Sequence, residues 1–134
     1  MKHLIRGQLF LVSAGIGDPE NMTLRAVEVI RQADLILAMP FVQKQIASFL
    51  PHGGTVVDPG HGLFTELSRN HLVDVASVDA MEARVRHMVR EHIQCGKRVV
   101  VVEFGDPTLC GPQIGYLNEF WDLDPVLIRW YFQF

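Results

Sequence analysis

Short runs of β-branched and aliphatic residues alternate along this chain with longer stretches whose apolar positions recur every three or four residues. Residues 9–13 (Leu-Phe-Leu-Val-Ser) form the first short run and end at a glycine turn. Asp18-Pro19 then opens a helical stretch, because proline is tolerated in a first helical turn and an acidic side chain suits the positive end of the dipole. Met22, Ala26, Val29, Ile30 and Ala33 share one face of it. Residues 34–38 predict a second strand. Pro40 begins a second helix with Phe41, Val42, Ile46, Ala47, Phe49 and Leu50 as its apolar positions, and Pro51 stops it. Thr55-Val56-Val57 predicts a short third strand.

Between residues 58 and 77 both periods fail, broken by Gly60, Gly62 and mixed polar residues. The pattern then gives its clearest helix at 78–95, where Val78, Met81, Val85, Met88, Val89 and Ile93 make one stripe and Gly96 is a good C-terminal cap. Residues 98–104 carry four consecutive valines. A uniform run of this kind, without alternation, predicts a parallel strand buried on both faces. Gly105-Asp106-Pro107 ends it, Pro112 opens a last helix through Ile114, Leu117 and Trp121, and Val126-Leu127-Ile128 predicts a fifth strand. Such alternation implies an α/β fold: one domain with a mostly parallel five-stranded sheet flanked by helices.

Composition narrows the function classes. The chain has 134 residues, 49% of them hydrophobic, and a net charge of -3. That length fits one domain, and the mild acidity lacks the clustered basic footprint of a nucleic-acid binder. The apolar runs at 35–42 and 99–102 fall far short of the ~20 residues that cross a bilayer. Lys2 and Arg6 precede an apolar stretch, but Gly15-Ile16-Gly17-Asp18 follows it in place of a cleavage site. The expectation is a cytoplasmic protein without a membrane or nucleic-acid partner. Cys95 and Cys110 make no disulfide scaffold, and the sequence offers no cluster of zinc ligands.

Two glycine turns carry the candidate chemistry, each directly after a predicted strand. They are residues 13–19 (Ser-Ala-Gly-Ile-Gly-Asp-Pro) and 105–111 (Gly-Asp-Pro-Thr-Leu-Cys-Gly). In an open parallel sheet, ligands bind beyond the carboxyl ends of the strands. Glycines there either let the backbone approach a ligand and present N–H groups to it, or simply make tight turns. An aspartate in such a turn can accept hydrogen bonds from an amine or a ribose. Neither turn is a P-loop, and the first lacks the third glycine of a dinucleotide fingerprint.

Residues 9–38 resemble the opening of the tetrapyrrole methylases, the S-adenosylmethionine-dependent enzymes of uroporphyrinogen and precorrin type. The matching features are the first strand, the Gly-x-Gly-Asp turn, the Thr-Leu-Arg-Ala helix and the Ala-Asp that begins the next strand. The second Gly-Asp-Pro loop follows the valine strand, where that family has its cofactor loop, and it looks closer to the precorrin branch. The resemblance covers almost the whole chain but only the N-terminal half of the family's protein, whose second domain is absent here. It implies a porphyrin or cobalamin biosynthetic methyltransferase, with S-adenosylmethionine as methyl donor and a tetrapyrrole as substrate, acting as a homodimer.

By position, the resemblance places Ile16, Gly105, Asp106 and Leu109 against S-adenosylmethionine. It turns Gly15, Gly17 and Asp18 toward the substrate trough. His61 falls where some members put a basic residue near substrate, although a loop histidine is ordinarily a solvated side chain. Some members carry Tyr-Asp just after the second strand, with the aspartate proposed as a base. Ala38-Met39 stands there instead, so no catalytic residue is assigned. The aromatic tail of Trp130, Tyr131, Phe132 and Phe134 would dock on the sheet, cover a dimer contact or mark a truncated product. His87 and His92 are read as helix surface, Arg84, Arg86 and Arg90 as a solvated helix face, and Cys110 as a small hydrophobe. Two alternatives belong to other classes: a non-catalytic ligand-binding or dimerisation module on the same fold, and a generic nucleotide-binding domain.

Overall fold

The computed structural model describes residues 7–15, 22–60, 63, 75–104 and 111–129. Five strands appear in it: β1 (Gln8–Ser13), β2 (Leu35–Leu37), β3 (Thr55–Val57), β4 (Arg98–Glu103) and β5 (Val126–Ile128). They are all parallel, in the order β3-β2-β4-β1-β5. The helices between them are α1 (Leu24–Arg31), α2 (Pro40–Gln45), α3 (Val75–Gln94) and α4 (Gly111–Glu119).

The valine run is buried on both sides for a simple reason: the sheet has a helical layer on each face. Val100 and Val102 join Phe10, Val12, Ala26, Ile30, Val42 and Ile46 in one cluster, which α1 and α2 cover. Val99 and Val101 join Leu9, Leu11, Val85, Val89, Tyr116 and Phe120 in the other, under α3 and α4. Strands with helices on both faces need apolar residues at every position, which removes the alternation seen when one face is wet.

Several helix limits differ from the pattern. Helix α1 starts at Leu24, because Thr23 adopts an extended backbone and its side chain accepts a hydrogen bond from Ala26 N at 3.1 Å. Asp18-Pro19 therefore does not run on into α1, and both residues lie outside the described ones. The second helix ends at Gln45 and continues only as a 3-10 turn over Ala47–Phe49. Helix α3 begins at Val75, three residues early, within the stretch where glycines obscured the period. The last helix stops at Glu119. Trp121 lies in a following 3-10 turn and is 73% exposed, so it does not extend the apolar face. Phe104 is likewise outside its strand and 42% exposed.

Topology places two chain exits together. β4 sits between β2 and β1, with Ser13 opposite Glu103. The chain leaves β1 toward the α1 face and leaves β4 toward the α4 face, which opens a crevice between their carboxyl ends.

Helix α4 meets the backbone of the 58–77 region through a glycine. A Cβ on Gly115 would lie 1.8 Å from the carbonyl oxygen of Leu63. Gly115→Ala should therefore lose about 2–3 kcal/mol through overpacking, although alanine is the better helix former. The expected drop in melting temperature is roughly 10 °C. An unchanged or raised melting temperature in a thermal scan would refute this contact.

Candidate functional site

The crevice is built from backbone first. Ala14 N donates to Glu103 O at 2.8 Å, and Gln45 Nε2 donates to Ala14 O at 3.3 Å. These bonds tie the end of β1 to β4 and to α2. Gly15 follows with φ 76°, a left-handed conformation that favours glycine, and its N–H points to Ser13 Oγ at 3.4 Å. The chain thus turns sharply off the strand where the first glycine loop begins. Gly60 also has a positive φ of 67°, and its N–H donates to Asp58 Oδ1 at 2.8 Å. A Cβ there would meet the Met81 sulfur at 2.1 Å.

Gly15 is the one predicted site residue that the structure describes. Ile16, Gly17, Asp18, His61, Gly105, Asp106 and Leu109 lie outside the described residues, as does Cys110. The described residues bring the ends of both glycine loops to neighbouring strands, side by side.

Two polar side chains escape the reading of the sequence. Glu103, the last residue of β4, is 5% exposed. Burial raises its carboxyl from 4.5 to about 7, since desolvation penalises the charged form. Tyr116 on α4 is fully buried, and its hydroxyl has no hydrogen-bond partner. Desolvation first, and then the negative charges of Glu103 and Asp58, push that phenol well above its ordinary value. Tyr116 packs against Val99 and Val101 of β4, on the α3/α4 face of the sheet that Glu103 takes by alternation. A signal for Glu103 was present: a charged residue closing an unbroken valine strand. Tyr116 gave little signal, because it sits four residues from Phe120 on an apolar face.

The crevice also has an apolar rim. Phe41, at the start of α2, and Phe104, just past β4, are 52% and 42% exposed. Their rings meet edge to face at 6.2 Å between centroids. After β2, Ala38 is buried and its carbonyl accepts from Gln43 Nε2 at 2.8 Å, so that position holds no titratable group.

Arg84 is exposed, as a solvated helix face requires, but Arg86 and Arg90 are not part of such a face. Arg90 donates to both carboxylate oxygens of Asp122, at 2.9 and 3.1 Å, and to Glu119 O at 3.1 Å. It also lies 5.1 Å over the Phe120 ring. Arg86 bonds Glu82 at 3.0 Å and Glu119 at 3.3 Å. Together they clamp α3 to α4. The open groove of about 650 Å³ beside them, lined by Arg86, His87, Arg90 and Glu91, thus offers cations already committed to carboxylates. His87 and His92 pair within their own helix, with Glu91 and the Met88 carbonyl, as helix-surface residues do. Among the described residues no group of His, Cys, Asp or Glu is placed to hold a metal, and no helix is long and apolar enough to cross a membrane.

Comparison with known proteins agrees with this geometry. The family profile of the Tetrapyrrole (Corrin/Porphyrin) Methylases matches residues 8–124. A siroheme synthase from Hahella chejuensis is 31% identical over 105 residues, which are 78% of this chain and 20% of that protein. A uroporphyrinogen-III C-methyltransferase from Synechococcus elongatus is 26% identical over 105 residues, 78% of this chain and 38% of that one. The chain therefore spans well under half the length of these relatives. Among solved structures, the uroporphyrin-III C-methyltransferase from Thermus thermophilus complexed with S-adenosylhomocysteine superposes with a TM-score of 0.61. It is 21% identical, over 92% of this chain and 43% of that one. A cobalt precorrin-4 methyltransferase gives 0.53 at 23% identity, over 90% and 44%. Those two likenesses concern the fold.

Glu103 makes stability depend on pH in a definite direction. The folded chain keeps a proton that the unfolded chain gives up between about 4.5 and 7. Its contribution is fully present below 4.5 and is lost as pH rises through 7. Glu103→Gln, neutral at every pH, should match the parent at pH 4 and exceed it by about 3 kcal/mol at pH 8. Urea unfolding of both proteins at the two pH values checks this. Equal stability at pH 8 would mean that the carboxylate is solvated.

Proposed function

We propose, since the chain belongs to the tetrapyrrole (corrin/porphyrin) methylases, that it forms the donor-binding half of a methyltransferase acting on a tetrapyrrole. The observation that carries this reading is the pairing of Ser13 with Glu103, by which the two glycine loops start from adjacent ends of parallel strands. Tetrapyrrole methylases use S-adenosylmethionine as methyl donor, and the residues present suit such a group. Gly15, in its left-handed conformation, turns the backbone off the end of β1. The unpartnered hydroxyl of Tyr116 and the buried Glu103 supply polarity that a nucleoside ligand needs. In this reading Ile16, Gly105, Asp106 and Leu109 hold the donor. Gly15, Gly17, Asp18 and His61 face the tetrapyrrole.

When bound, S-adenosylmethionine supplies an electrophilic methyl group on a positively charged sulfur. The chain needs no nucleophile of its own. Its work is to fix the donor's orientation through the loop backbones, to exclude water with Phe41 and Phe104, and to hold the reacting groups in line, where proximity supplies most of the acceleration. With Ala38-Met39 after β2, the proton lost from the methylated ring is taken up elsewhere than at that strand end.

A crevice with one wall does not enclose a tetrapyrrole. The second wall is a further α/β domain, as the greater length of the relatives supports. A cytoplasmic homodimer belongs to the same reading and is supported by the family resemblance of residues 9–38.

Calorimetric titration of the chain with S-adenosylhomocysteine tests the proposal, with Asp106→Ala as the paired variant. Binding is expected in the parent. Loss of a charged hydrogen-bonding group should weaken it by roughly ten- to a hundredfold in the variant. No binding by the parent, or equal binding by both proteins, would contradict the site assignment.

A further inference from the structure

Glu103 is the least economical residue in the described structure. It closes a strand that is otherwise valine from 99 to 102, on the face shared by Val99, Val101 and Tyr116. A buried carboxylate is normally paired with a cation or well hydrogen-bonded, because its desolvation penalty amounts to several kcal/mol. None of the described cations is bonded to Glu103. Arg86 and Arg90 are engaged with Glu82, Glu119 and Asp122. Arg98 lies at the opposite end of β4, where Gln32 accepts from its guanidinium and Asp34 from its backbone.

Tyr116 repeats the pattern from the facing layer. Its hydroxyl is buried and unpartnered, and phenylalanine would fill the same space without that penalty. Neither polar group serves the packing of α4 on the sheet. Glu103 closes β4 opposite Ser13, at the carboxyl end of the sheet, and Tyr116 lies in the layer that covers that face. The remaining polar and charged groups on this face are Ser13 opposite Glu103, Asp58 beyond β3, and Glu82 held by Arg86 on α3. Among the described residues, none of these groups brings Glu103 a positive charge.

We propose that Glu103, with Tyr116 Oη beside it, is the counter-charge for the sulfonium of the methyl donor, so that the chain grips the donor more tightly than its neutral thioether product. This rests on the donor-binding reading given above and assigns to it a residue that discriminates between donor and product. Methyl transfer removes the positive charge from sulfur. The product then leaves Glu103 without its counter-ion, which favours release and exchange for fresh donor. The raised carboxyl makes the preference depend on pH. From pH 6 to pH 8 the ionised fraction of a group titrating near 7 grows about tenfold.

The test is calorimetric titration of the full chain with S-adenosylmethionine and with S-adenosylhomocysteine, at pH 6 and pH 8, for the parent, Glu103→Gln and Glu103→Asp. Comparing the parent with Glu103→Gln at each pH cancels the titration of the ligands' own α-amino groups. In the parent, the preference for the sulfonium ligand should rise up to about tenfold from pH 6 to pH 8. Glu103→Gln should lose that rise, and Glu103→Asp should keep part of it. Thermal scans confirm that each variant is folded. A ratio that is the same in the parent and Glu103→Gln would overturn the proposal. So would an equal loss of both ligands, which would place the carboxylate against the shared amino group. If the parent binds neither ligand, this inference falls together with the donor-binding reading. If it binds both while the ratio ignores Glu103, only this inference falls.

Discussion

Six register pairs join β1 to β4, from Gln8 opposite Arg98 to Ser13 opposite Glu103, and the rest of the molecule is arranged around them. Both strands are buried on both faces, so their residues divide strictly between two cores. A slip of one residue would exchange the two sets of side chains and put Glu103 under the wrong helices. The same pairing aligns the two strand ends, so that two segments about ninety residues apart in sequence start side by side. Backbone bonds from Ala14 to Glu103 at one end, and from Gln8 to Lys97 at the other, fix it at both limits.

Around that axis the two helical layers have different tasks. On the α1/α2 face the contents are apolar, and Gln45 reaches across only to steady Ala14. On the α3/α4 face, polar groups are sorted by position. Arg86 and Arg90 of α3 clamp α4 through Glu119 and the Asp122 turn, and Arg86 also compensates the buried Glu82. Glu103 and Tyr116 lie inside without such partners. Holding α4 firmly by external ion pairs and by Phe120 leaves Tyr116 in place without requiring its hydroxyl to bond within the fold. A rigid scaffold of this kind can carry uncompensated polarity at one edge, which is where binding sites are expected to violate the rules of the core.

Much of the scaffold was legible in the sequence. All five strands follow from their apolar runs, and the unbroken valines announced a central parallel strand. Helix limits were less legible because caps compete. Thr23, an excellent N-cap, lies five residues beyond the Asp18-Pro19 signal and wins by bonding Ala26 N. The start of α3 is hidden in the mixed polar stretch before Val78, where the apolar period fails. At the site, glycine turns drew the eye to residues 13–19 and 105–111. The family resemblance of residues 9–38, and of the Gly-Asp-Pro loop, agrees with the profile match over 8–124. Glu103 was passed over because the valines beside it spoke of burial, and the cost of burying one carboxylate among them becomes visible only once α4 is seen to cover it. Arg84 is exposed as its position suggests, whereas the pairing of Arg86 and Arg90 is hidden in the sequence because Glu119 and Asp122 come from elements far along the chain.

The most direct measurement is amide chemical-shift mapping of the isotopically labelled chain as S-adenosylhomocysteine is added. The account predicts that the amides of Ser13, Ala14, Gly15 and Phe104, at the carboxyl ends of β1 and β4, shift most. Those of Gly7, Gln8 and Arg98, at the opposite edge of the same strands, should stay in place. Shifts confined to the arginine groove of α3, or to the amino-terminal edge of the sheet, would contradict it.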